Sequence, residues 1–279
     1  MGNAACDHDA DAPSFEDDVR IARAALAAGD VGHAIHHVAG AVASGADRPA
    51  CAALIDELVA ALARDPLAAV PATNLWYGLG GLRAALLART GRHAEAIPLA
   101  LACLAARPDA PFVPWLTAWV AHPGAAATVD PQAAARELVA CVRHEPLGAA
   151  LHALALSLHR AHPDHDYLTF ATVKLHRVCW RYADAIAIAR AALARGPRPM
   201  TAIALAGALR EDGDLDGALA AYQRALALEP DEPWAAPSAC YVRWRQSGSA
   251  DEAAALRAWA AAHPDNHRAS ELLAEVDAV

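Results

Sequence analysis

Two stretches concentrate the side chains best able to hold a metal or move a proton. In GDVGHAIHHVAG (29–40), His33, His36 and His37 crowd into five positions. In LHRAHPDHDY (158–167), His159, His162, His165 and Asp166 surround a turn, with Lys174 a little further on. Residues three or four apart share one face of a helix, so His33 could join His36 or His37 at one ion. The second set adds a carboxylate to its imidazoles, a combination that can bind a divalent metal and activate a bound water. The structural alternative for this set is a solvated turn between helices, with Asp164 or Asp166 capping the next one. His152 and His159, seven apart, share one helix face and read as core or groove histidines. No GxxxxGK, GxSxG or HExxH sequence occurs. GLGG (78–81) lies within a helical stretch and reads as close helix packing.

The elements that position these residues follow from composition and periodicity. Of 279 residues, 56% are hydrophobic but only 5% aromatic. Alanine- and leucine-rich chains poor in β-branched residues favour helix over strand. The net charge of −9 argues against a nucleic-acid partner held by overall electrostatics. Lys174 is the only lysine and all other cationic side chains are arginine, the usage of a GC-rich, bacterial genome. A chemically used lysine is the alternative.

The six cysteines (Cys6, Cys51, Cys103, Cys141, Cys179, Cys240) are scattered without CxxC spacing, which suits a reducing cytoplasm. The acidic start has neither a basic region nor an apolar run, and residues 1–13 are expected to be a disordered tail. The longest uncharged stretch, 110–129, is broken by Pro111, Pro114 and Pro123, so no membrane span is expected.

Internal repetition is the strongest signal. REDGDLDGALAAYQRALALEPDEP (210–233) and QSGSADEAAALRAWAAAHPDN (246–266) share a Gly turn, early acidic residues, an inward small residue and a closing Pro. RTGRHAEAIPLALACLAARPDAP (89–111) and WRYADAIAIARAALARGPRP (180–199) follow the same pattern, and 27–49 does so more loosely. Ala185, Ala218 and Ala253 fall at intervals of about 34 residues, room for two short helices and two turns.

This pattern resembles the tetratricopeptide repeat (TPR) family. In 199–232 the matching residues are Leu205, Ala206, Leu209, Ala218, Tyr222, Ala225 and Pro230, with Ala202 in place of the usual tryptophan. In 77–110 they are Ala84, Leu87, Gly91, Ala96, Ala100 and Pro108. From Phe15 they are Ala22, Ala25, Gly29, Ala34 and Ala41. The resemblance implies an all-α, right-handed superhelix (an α-solenoid) of about seven antiparallel helix pairs with a C-terminal capping helix. One domain would span 14–279: N-terminal repeats (14–107), an irregular middle (108–164), regular repeats (165–265) and the cap (266–279). One odd helix is expected near 48–64 and three between about 112 and 161. Ala34, Ile35, Val38 and Ala41 would form the buried stripe of a second helix, leaving His33, His36 and His37 on the outer side.

The family also implies a concave face lined by the first helix of each pair. The register places Tyr167, Phe170, Lys174 and Arg177 there, then Met200, Ile203, Arg210 and Glu211, then Ser238, Arg245 and Gln246. Arginine forks and a lysine point charge suit carboxylates or phosphates, and the aromatics add flat apolar contact. The arrangement with which chaperone-binding members clamp a C-terminal carboxylate is not reproduced, because Phe170, Ile203 and Ser238 stand where basic residues would be needed. The leading expectation is a non-catalytic scaffold, without cofactor or metal, binding an acidic peptide segment through Tyr167, Phe170, Lys174, Arg177, Ile203, Arg210, Ser238 and Arg245. The alternative is a helical-repeat enzyme or metal-dependent protein using the middle segment. Exposed tryptophans (Trp115, Trp234, Trp259) leave self-association open.

Overall fold

Capping residues mark many of the helix starts. Asp30, Asp214, Ser249 and Asn266 each accept a hydrogen bond from a backbone N–H at a helix start. Pro49, Pro131 and Pro199 open helices where a missing N–H is harmless. In the computed structural model, which describes residues 13–62, 65–70 and 76–278, these signals give seventeen helices and no strand among the described residues. The expected tail, 1–13, lies almost wholly outside the described residues. None of the described helices is long and apolar enough to cross a membrane.

The chain divides into two compact units, one up to Asp130 and one from Pro131. In the first, α1 (Phe15–Ala27) pairs with α2 (Val31–Gly45), and α3 (Pro49–Ala61) follows α1 at 34 residues. Arg23 on α1 reaches Glu57 on α3, also 34 residues on. The helix expected as an odd one thus starts one repeat after α1 and packs on α1 and α2. The next helix, α4 (Pro66–Ala69), has only 4 residues and packs on the helix that follows it rather than on α3. After α5 (Tyr77–Arg89) and α6 (His93–Ala106), a long-and-short combination returns as α7 (Val113–Val120) and α8 (Ala125–Thr128).

The GLGG reading fits the contacts here. A Cβ on Gly78 would stand 2.5 Å from the Ala39 carbonyl oxygen, so α5 approaches the backbone of α2 where only glycine fits.

The second unit contains α9 (Pro131–Cys141), α10 (Glu145–Ala161), α11 (Asp166–Val178), α12 (Tyr182–Leu193), α13 (Pro199–Asp212), α14 (Leu215–Leu228), α15 (Ala235–Ser247), α16 (Ala250–Ala262) and α17 (His267–Asp277). Its first helices start at Pro131, Asp166, Pro199 and Ala235, and the end helix at His267, at intervals of 32 to 36 residues. Residues 131–161 therefore start in step with the later repeats, although α9 and α10 both pack mainly on α11 rather than on each other.

Ala185, Ala218 and Ala253 are buried as the repeat requires. One apolar cluster runs from Phe170 to Val242, and a second joins Tyr241, Leu256, Leu272 and Val276. Burying each large aliphatic side chain contributes about 1.5–3 kcal/mol.

Five pairs close through one turn, with a left-handed residue at Gly29, Gly91, Trp180, Gly213 or Gly248. In four of them the next residue donates its N–H to the carbonyl five back: Asp30 to Ala25, Arg92 to Leu87, Arg181 to His176 and Asp214 to Leu209.

Candidate functional site

The histidine stretches resolve into structural contacts. His33 and His36 are exposed, as expected, but His37 is 9% exposed and its Nδ1 lies 2.7 Å from Asp18 Oδ1 on α1. The expectation of a solvated outer face is thus corrected for His37. It falls one residue before Val38, at the edge of the buried stripe, where α1 covers it.

In the 158–167 turn, the imidazole of His165 accepts from the Leu168 N–H and so caps α11. His159 Nδ1 is 3.3 Å from the Thr169 hydroxyl. Asp166 accepts from the N–H groups of Met200 and Thr201 (3.0 and 2.8 Å) and from the Thr201 hydroxyl (2.6 Å). It caps α13 from the preceding pair. Arg198 donates to the Pro163 carbonyl and to Asp164, holding that carboxyl below its usual pKa. Burial, with Arg195 and Arg198 nearby, lowers the pKa of His159. Among the described residues there is no group of three or more metal-ligating side chains that could hold an ion.

The predicted groove residues separate into core and surface. Phe170, Ile203 and Ser238 are core residues at 4%, 7% and 2% exposure, a correction to their expected place on a binding face. They face inward because first helices of this unit are covered by neighbours on more than one side. Tyr167 is half-buried and stacks on Phe170 at 5.7 Å between ring centroids.

The cations form a connected strip. Arg177 on α11 donates Nε (3.1 Å) and Nη2 to Glu211 at the end of α13, and Arg210 donates to the same carboxylate at 3.1 Å. Glu211 titrates below its usual value; its burial pushes the other way and the two arginines prevail. Arg210 also lies over the Tyr241 ring at 5.6 Å, and its Nη1 is buried without a hydrogen-bond partner among the described residues. Arg245 donates to the Tyr241 hydroxyl at 3.1 Å, and that hydroxyl donates to Glu275.

Lys174 is half-buried and makes no ion pair among the described residues. Burial lowers its pKa, and Arg177 and Arg143 add to the effect. Two groups that sequence reasoning did not select belong here. Arg143, in the turn after α9, adds charge, and Arg268 on α17 approaches Ser238.

A cleft of about 520 Å³ opens beside this strip, lined by Val142, Arg143, Arg177, Val178, Trp180, Tyr182 and Glu211. A smaller one in the first unit, about 230 Å³, lies against Trp115, Trp119 and Arg89. Of the tryptophans expected to be exposed, Trp234 is exposed while leaning on Phe170, whereas Trp115, stacked between Phe112 and Trp119, and Trp259, stacked on His263, are half-buried.

No family model and no curated protein matches the chain. Among solved structures, it is similar to a tetratricopeptide repeat protein from Parabacteroides merdae, at 13% identity and a TM-score of 0.45 over 93% of this chain and 97% of that one. It is also similar to a thermophilic TPR protein of Thermus thermophilus, at 18% identity and a TM-score of 0.34 over 87% of this chain and 99% of that one. At such identities and scores the functional reading stands on the chain's own residues.

Proposed function

We propose that the chain is a non-catalytic interaction scaffold. It binds an acidic or carboxylate-bearing segment of a protein partner along the strip formed by Lys174, Arg177, Arg210 and Arg245. The observation that carries this reading is Lys174, a half-buried ammonium set among Arg177, Arg143 and Arg268 with no ion-pair partner among the described residues, Glu271 acting on it only at longer range. An incoming carboxylate would supply the missing counter-charge in a partly desolvated site, where charge-assisted hydrogen bonds are strong. Arg177 and Arg210 contribute less freely, because Glu211 already engages both. The cytoplasm is the proposed compartment, in keeping with cysteines Cys51, Cys103 and Cys141 buried within helices.

Selection of random peptides of about a dozen residues on the immobilised chain tests this, a length spanning several repeats in extended form. Enrichment of Asp and Glu is expected. Lys174→Glu should weaken the selected peptides about tenfold, the effect of losing one charge-assisted contact and gaining a repulsion. Selected peptides without acidic enrichment, or unchanged affinity in the variant, would refute the reading.

A further inference from the structure

Among the described residues, five of the longer helix pairs turn through a left-handed residue, four of these being glycine, and Gly124 does the same between the short α7 and α8. The fifth is Trp180, at φ 58, the one non-glycine residue with positive φ among those described. An L side chain in that region crowds its own backbone, and bulky residues are rarely found there. The turn does not need tryptophan, since Gly29, Gly91 and Gly213 make the same hydrogen bond pattern without one. The side chain is also not core, being 74% exposed. What the tryptophan does is overlook the 520 Å³ cleft, edge-on to Tyr182 at 6.1 Å, with Val142 and Val178 on the apolar floor. Arg143 and Arg177 stand at its margin.

Tryptophan, tyrosine and arginine around one apolar depression are the side chains that dominate binding energy at protein interfaces. Strain retained at a place where a strain-free residue serves four times elsewhere points to function rather than folding. We propose that this cleft is an anchor site. It takes one large apolar or aromatic side chain of an acidic protein segment against Trp180 and Tyr182, while the segment's flanking carboxylate meets Arg143. The occupant is committed by charge. The cleft brings two arginines against one carboxylate, with Lys174 close by, in a chain of net charge −9. The proposal rests on the acidic-segment reading above and adds a residue-level requirement to it.

The test uses the full chain labelled with ¹⁵N, reading the Trp180 indole N–H, identified by its loss in Trp180→Phe. The probes are two capped synthetic pentapeptides, EEFEE and EEAEE, and AMP as a small planar anion. EEFEE is expected to shift the Trp180 indole and to bind several-fold more tightly than EEAEE. Trp180→Gly should abolish that difference while raising the melting temperature by about 2–4 °C, the shift corresponding to relief of one left-handed side chain in a unit of this size.

Equal binding of both peptides with an unmoved Trp180 signal overturns the anchor and leaves the acidic-segment reading standing. Binding of neither peptide overturns both. A response to AMP alone replaces the peptide with a small-molecule ligand. A lower melting temperature in Trp180→Gly makes Trp180 a packing residue and also overturns the anchor.

Discussion

At the scale of single residues, Asp18 shows how burial and pairing compete. It is buried under α2, its carboxylate 2.7 Å from His37, and a Cβ on Gly40 would come within 2.3 Å of it. Burial raises its pKa despite the opposing hydrogen bond from His37, with His36 also lowering it and Asp17 raising it. A carboxyl whose folded pKa lies above its unfolded value favours the fold most in its protonated form. Its contribution is therefore complete below the unfolded value and fades as pH rises through the folded one. Asp18→Asn should consequently melt higher than the parent near pH 7, with the difference closing toward about pH 3, below both carboxyl pKa values. His37→Ala leaves the carboxyl without its imidazole and should cost about 1–3 kcal/mol at neutral pH, read from the same melts. None of this was legible in the sequence. The histidine spacing was visible, but nothing in 29–40 says that α1 covers one of its three rings.

At the scale of elements, the link between consecutive pairs is made by side chains one repeat apart. Arg177 with Glu211, Arg198 with Asp164, Tyr241 with Glu275, and Asp166 with the Met200 N–H are each separated by 34 residues. Asp166 is the firmest of these, since it satisfies two N–H groups at the start of α13 that no helical carbonyl can reach. Asp166→Ala should destabilise the second unit by about 1–2 kcal/mol, the usual cost of a lost cap, whereas Asp166→Asn should retain most of that contribution. Denaturant titration followed by circular dichroism checks both. The helices themselves were readable, because Asp30, Asp214, Pro199 and the inward alanines announce them locally. The role of Asp166 was readable only as a cap for some neighbouring helix, because its partner lies a whole repeat away. Phe170, Ile203 and Ser238 were misplaced for a related reason. Register fixes which way a residue points along one helix, but not how many neighbours close over it.

At the scale of the whole molecule, the two units differ in regularity. From Pro131 onward the pairs recur without interruption, and the apolar cluster from Phe170 to Val242 draws every member from this unit. Residues 131–279 expressed alone are therefore expected to be helical and to melt cooperatively; a broad, non-cooperative transition by calorimetry would count against this. Before Pro131 two helices have only 4 residues each. That shortening shifts the repeat phase, which is why the start at Pro131 was not legible as a repeat boundary in the sequence. The arginine-for-lysine usage has a practical consequence for chemistry on the intact protein. Lys174 carries the only side-chain amine in the chain, and its lowered pKa leaves more of it as the neutral nucleophile near physiological pH. Apart from an α-amino terminus, an acylating dye or amine-directed photo-crosslinker thus has one address, on the strip where the acidic segment is proposed to lie.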